Sequence, residues 1–208
     1  MVGALSIFAM HKRRRRAYDA WRNGFDSGVV MPRLFTALEI PAPIAFSLSL
    51  LRGGLPGARW IDPENYHITL RFIGDIDHRT ADEVARALAQ VDQPQFDVSL
   101  EGLDAFGGRK PHSIVASVKA SPVLKELQAE QERIVQRIGL EPERRRFRPH
   151  VTLARIRSAS QSDAASYLAL RGDFRTPPFP VGRFVLLSSR ASKGGGPYIM
   201  EEAYPLAA

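Results

Sequence analysis

One pattern occurs twice in this chain: His67-Ile68-Thr69-Leu70 and His150-Val151-Thr152-Leu153, 83 positions apart. A single such run carries little information. Ordinary residue usage gives a second match somewhere in the chain a chance of roughly a few in a thousand. The β-branched and polar composition of both runs reads as strand. Side chains alternate faces along a strand, so His67 and Thr69 share one face and Ile68 and Leu70 the other, and the second run repeats this. The apolar faces can pack under helices. If the two strands lie side by side, the polar faces meet in one space, related by a pseudo-two-fold axis.

The remaining pattern suits that arrangement. Strands are expected at Arg33–Ile40, Tyr66–Ile73, Phe96–Leu103, Ser113–Val118, His150–Arg155, Phe179–Ser188 and Tyr198–Tyr204. Helices are expected at Pro41–Leu51, Thr80–Val91, Ser121–Ile138 and Ala164–Leu170. Ser121 suits an N-cap, Pro122 a first helical position and Gly139 a stop. Short turns between neighbouring strands favour antiparallel pairing. The fold class is therefore α+β, with helices on one side of a mostly antiparallel sheet system.

Composition narrows the chemistry. The 208 residues contain no cysteine, which excludes disulfide scaffolds, thiol nucleophiles, Fe–S clusters and cysteine zinc sites. The net charge of +7 is uneven, because residues 1–30 carry +4 of it, largely through Arg13–Arg16. That basic arm reads as a disordered N-terminal extension, with RNA or an acidic surface as the alternative partner. The domain is expected to span residues 31–208, with Met31 a candidate natural start. The apolar run Met1–Met10 precedes the charges, the reverse of a secretory signal, and no run is long enough to span a bilayer. A soluble, cytoplasmic protein without a membrane partner is expected.

Two imidazoles and two hydroxyls in one cleft have a definite competence. Histidine titrates near pH 6.5, so one of the pair can be a general base and the other a general acid. The hydroxyls of Thr69 and Thr152 can donate to an oxyanion. This suits transfer at phosphorus, with one histidine activating the nucleophile and the other protonating the leaving oxygen. No metal is required, and two histidines without nearby carboxylates or thiolates make a poor metal site.

The chain resembles the two-histidine (2H) phosphoesterases, and most closely the bacterial and archaeal RNA 2′,3′-cyclic phosphodiesterases, first known as a tRNA 2′-5′ ligase. The resemblance rests on the two His-x-Thr-x motifs and their surroundings: Arg33-Leu-Phe-Thr-Ala, Asp62-Pro-Glu-Asn-Tyr66, Arg71-Phe-Ile-Gly-Asp75, Phe147-Arg-Pro149 and Leu153-Ala-Arg155. It covers about residues 31–206. It implies a bilobal, LigT-like fold of two pseudo-symmetric lobes around a central cleft. It also implies hydrolysis of RNA or nucleoside 2′,3′-cyclic phosphate ends to 2′-phosphates. A monomer without a cofactor is expected. On this resemblance His67 is the proton donor, His150 the proton acceptor, and Thr69, Thr152 and Arg155 bind the phosphate. Arg155 lies five residues after His150, so strict alternation sends it to the wrong face unless the strand twists or bulges. Arg71, four after His67, has the right parity and is expected beside the phosphate.

Other residues leave two readings open. Arg144, Arg145, Arg146 and Arg148 form a solvated loop or an RNA track. Trp60, Tyr66 and Phe35 pack in the core or stack a base. Lys193 is a hairpin tip or a phosphate ligand. Other activities remain open at this stage too: 2′-5′ ligation in the same site, a non-catalytic RNA-binding module, or action on another cyclic or 2′-5′-linked nucleotide.

Overall fold

The structure, a computed structural model, describes residues 33–189 and 196–208. The basic arm, Met31 and Lys193 lie outside the described residues. Among the described residues ten strands are formed: β1 (Arg33–Glu39), β2 (Ala58–Trp60), β3 (His67–Asp75), β4 (Phe96–Val98), β5 (Leu100–Phe106), β6 (Ser113–Val118), β7 (His150–Ile156), β8 (Phe179–Val181), β9 (Arg183–Ser189) and β10 (Tyr198–Pro205). The α-helices are α1 (Ala42–Ser49), α2 (His78–Leu88), α3 (Pro122–Arg137) and α4 (Gln161–Arg171), and Pro63–Asn65 makes a 3-10 turn before β3.

An eight-stranded antiparallel sheet runs β10-β9-β1-β3-β7-β6-β5, with β2 added along β7. Its two halves meet at one point, where Ile68 of β3 lies opposite Val151 of β7. An antiparallel register centred on that pair exchanges His67 with His150 and Thr69 with Thr152 by an approximate two-fold rotation. Among the described residues this is the only backbone pair joining β3 to β7. The strands otherwise pair outward, β3 with β1 and β7 with β6 and β2, which leaves two lobes with a cleft between them.

Helices cover the other face. Leu124, Leu127 and Ile134 of α3 and Ala81, Val84 and Leu88 of α2 are buried together with Ile68, Leu70, Val151 and Leu153. The Ser121 hydroxyl accepts from the Leu124 amide at 3.1 Å, so α3 starts where the capping pattern placed it. A second, smaller apolar cluster of Phe35, Ala37, Val185 and Leu187 lines the cleft face of the first lobe.

Both motif strands carry the same irregularity. In β3, Thr36 pairs with Arg71 and Ala37 with Thr69, so Leu70 is an extra residue. In β7, Ile114 pairs with Ala154 and Val115 with Thr152, so Leu153 is extra. Each is a β-bulge, which reverses the facing of the residues that follow it, in β3 as far as a second shift at Ile73. Position five after each histidine therefore shares the histidine's face. That places Arg155 on the cleft side, and Phe72 in the equivalent place on β3. Position four is turned away.

The expectation for Arg71 is thereby overturned. Arg71 is buried against α3, where its Nε pairs with Glu132 and its Nη2 donates to the Glu141 carbonyl at 2.5 Å. A further guanidinium bond goes to the Phe72 carbonyl. The bulge at Leu70 is the physical reason.

Two expected strands also divide. Phe96–Leu103 breaks at Ser99, whose carbonyl accepts from the Lys119 amide at 3.0 Å. Phe179–Ser188 breaks at Gly182, whose carbonyl accepts from the Leu206 amide at 2.9 Å. The freed pieces β4 and β8 form a separate two-stranded sheet. Helix α4 begins earlier than its apolar pattern suggested, because Ser160 and Asp163 form a capping box.

Removing one partner from a buried ion pair strands the other charge. Arg71→Ala is expected to lower unfolding free energy by about 3–5 kcal/mol in denaturant titrations. Arg71→Met combined with Glu132→Met is expected to recover most of that loss.

Candidate active site

The histidines are oriented by the backbone just ahead of each motif. His67 Nδ1 lies 2.8 Å from the Asn65 carbonyl, and His150 Nδ1 lies 2.7 Å from the Arg148 carbonyl. A carbonyl only accepts, so Nδ1 carries the proton in both rings and Nε2 holds the free lone pair. In each motif the tether is the residue two before the histidine. Neither hydroxyl of Thr69 and Thr152 has a protein partner among the described residues, and both are partly buried beside the imidazoles.

The walls differ between lobes. His67 is held between Phe35, with centroids 5.1 Å apart, and the edge-on ring of Tyr198 at 5.0 Å. Phe72 lies 5.7 Å from Phe35 and is 45% exposed, an accessible aromatic surface at the cleft. Asn65 braces this wall. Its amide oxygen accepts from the Tyr198 backbone N–H at 3.3 Å. A Cβ on Gly196 would collide with the Asn65 side chain, and the residue has φ of +91°, so glycine is required there. His150 instead meets the edge of Phe106 at 4.8 Å. Arg148 lies over the same ring at 4.6 Å and pairs with Asp104 at 3.2 Å.

Arg155 stands close enough for its charge to oppose protonation of both histidines. The structure thus brings together His67, Thr69, His150, Thr152 and Arg155, and leaves Arg71 on the helix side. Among the described residues no three His, Cys, Asp or Glu side chains gather as a metal site would need.

The duplication seen in the strands has a counterpart in the way the family model matches this chain. The family model for LigT-like phosphoesterases matches residues 38–116, which contain the first motif, and residues 117–198, which contain the second. The chain belongs to that family. It is 34% identical over 153 residues to the RNA 2′,3′-cyclic phosphodiesterase of Aeropyrum pernix, covering 72% of this chain and 86% of that one. The protein of the same name from Aquifex aeolicus is 31% identical over 155 residues, covering 70% and 81%. The fold matches a crystal structure of E. coli LigT complexed with 3′-AMP, with TM-score 0.68 at 23% identity over 85% of this chain and 99% of that one.

Within this LigT-like phosphoesterase, three contributors went unread in the sequence: Phe72, Phe106 and Tyr198. Phe72 had a usable signal, since it stands five after His67 as Arg155 stands five after His150. Phe106 and Tyr198 reach the histidines only through strand pairing, and had none. Of the aromatic residues singled out, Trp60 packs on Tyr167 at 5.7 Å and Tyr66 is buried in the main core. Phe35 is buried too, but directly behind His67.

Burial shapes the proton affinities. It is the largest influence on His67 and pushes it down to about 4, with His150 and Arg155 adding to the effect against the Asn65 carbonyl. Burial also lowers His150, aided by Arg155 and Arg148 and opposed by the Arg148 carbonyl. Both rings are therefore neutral in the free protein at pH 7. Unfolded imidazoles protonate near pH 6.5, so folding stability is expected to fall as pH drops from about 6.5 toward 4. In NMR titrations His67 is expected to titrate near pH 4. Arg155→Ala should raise the titration midpoints of both histidines.

Proposed function

We propose that the chain hydrolyses 2′,3′-cyclic phosphate ends of RNA, or the cyclic nucleotides themselves, to 2′-phosphates. The observation that carries this reading is the meeting of two tautomer-fixed imidazoles, two unpartnered hydroxyls and one guanidinium across a pseudo-two-fold cleft. Membership of the family and the names of the Aeropyrum and Aquifex relatives support it.

In this reading the cyclic phosphate sits between the lobes. Arg155 and the hydroxyls of Thr69 and Thr152 hold its non-bridging oxygens and stabilise the charge that grows on them. His150 Nε2 takes a proton from water as the water oxygen bonds to phosphorus. The bond from phosphorus to O3′ breaks on the opposite side, and His67 Nε2 gives a proton to the departing oxygen. The products are a 2′-phosphate and a 3′-hydroxyl. His67 must be protonated for this, although burial keeps it neutral in the free protein. The entering phosphate anion favours the imidazolium and restores the acid where it is needed.

The exposed face of Phe72 offers a surface on which a base can stack. Both halves of the site come from one chain, so a monomer suffices, and a cytoplasmic RNA substrate belongs to the same proposal. Among the described residues no helix is long and apolar enough to cross a membrane.

The test is turnover of an RNA ending in a 2′,3′-cyclic phosphate, with the product end identified. His67→Ala and His150→Ala are each expected to cut the rate by about 10²–10⁴-fold. EDTA should leave the wild-type rate unchanged. With an acyclic phosphodiester bearing a nitrophenolate leaving group, which departs without a proton, His67→Ala should regain most of its rate and His150→Ala should not. Full activity of either alanine variant on the cyclic substrate would refute the reading.

A further inference from the structure

Apart from Arg148, which tethers His150 through its carbonyl, the loop between α3 and β7 has no part in the chemistry above, yet it is tightly built. Residues 141–148 contain four arginines, Arg144, Arg145, Arg146 and Arg148, against two glutamates. All four arginines are exposed, while Phe147 packs on the core between them. The backbone is pinned from beneath. The buried Arg71 donates to the Glu141 carbonyl at 2.5 Å, and the Glu132 carboxylate accepts from the Glu143 amide at 3.0 Å. The loop then enters β7, where Arg148 supplies the carbonyl that holds His150.

Two of these guanidiniums are engaged within the protein. Arg145 is bound by the Glu143 carboxylate at 3.2 Å, and Arg148 by Asp104 at 3.2 Å. Arg144 and Arg146 have no carboxylate partner among the described residues. The other wall of the cleft offers Phe35, Phe72 and Tyr198. Among the described residues, the arginine-rich loop thus lies on the His150 side and the exposed face of Phe72 on the His67 side.

A chain ending in a cyclic phosphate has further phosphates upstream, and these must leave the cleft on one side. We infer that the loop bearing Arg144 and Arg146 is an RNA-strand site, binding the phosphates upstream of the reacting end along the rim of the second lobe. This rests on the cyclic phosphodiesterase reading and adds to it a preference for polynucleotides over mononucleotides. The rigid backbone matters here, because arginines on an anchored loop lose less freedom on binding than those on a loose one.

The experiment compares an oligoribonucleotide ending in a 2′,3′-cyclic phosphate with a 2′,3′-cyclic mononucleotide, across a salt series. Anisotropy measures binding of the oligonucleotide, and product formation measures turnover of both. The double variant Arg144→Ala/Arg146→Ala spares Arg148, whose carbonyl orients His150. It should weaken oligonucleotide binding about 10-fold at low salt and flatten its log–log salt slope by roughly 1.4, at about 0.7 per single-strand phosphate contact. Turnover of the mononucleotide should not change. The charge-reversed pair Arg144→Glu/Arg146→Glu should weaken oligonucleotide binding further. An unchanged oligonucleotide affinity and slope would overturn the inference, as would an equal loss for oligonucleotide and mononucleotide in a variant with wild-type melting temperature. Should the wild type bind the oligonucleotide with the expected slope but hydrolyse neither substrate, the catalytic reading would fail and the strand site would stand.

Discussion

The cleft depends on two leucines that do not fit the sheet. Leu70 and Leu153 are each one residue too many for the strand beside them. With regular ladders, Arg155 would point into the apolar layer under the helices and Arg71 into the cleft. An unpaired charge under the helices would cost several kcal/mol, and β3 would lose its link to α3. The bulges instead set a spacing of zero, two and five for cleft-facing positions, counted from each histidine. The pairing of Ile68 with Val151 brings the two sets together. One local irregularity, used twice, thus sorts charge between the site and the core.

Symmetry of backbone is not symmetry of chemistry. The same frame holds Phe72 in one strand and Arg155 in the other. It sets His67 among Phe35 and Tyr198, and His150 beside Phe106 and Arg148. Identical side chains with identical carbonyl tethers meet different surroundings, and acid and base roles separate when the environments of like groups differ. A duplicated scaffold supplies the geometry, and divergence of a few lining residues supplies the distinction.

Most of this was legible where local rules decide. The repeated His-x-Thr-Leu, the Ser121 cap and the existence of helix α2 each follow from side-chain periodicity or capping chemistry, and the structure places them close to where they were read. Arg71 was misread because strict alternation assumes a regular ladder, and a bulge is decided by the partner strand. The breaks at Ser99 and Gly182 have the same origin, since Lys119 and Leu206 claim the carbonyls there from far along the chain. Strand β2 is three residues long, too short for any period to show, and exists because β7 offers it an edge. The oriented tautomers were invisible for a related reason: they rest on carbonyls, which every residue possesses.

The strand order has a temporal meaning. Strand β1 lies between β3 and β9, and β9 is covered by β10, so the first lobe is completed by strands that follow the second motif, β10 the final one described. Tyr198, which braces His67, belongs to that final strand. A ribosome that has released the first motif, and even the second, has not yet released the strand whose Tyr198 closes against His67. The cleft therefore assembles only once strands from both sides of the second motif have been made, and its first lobe is not built from one continuous stretch of sequence.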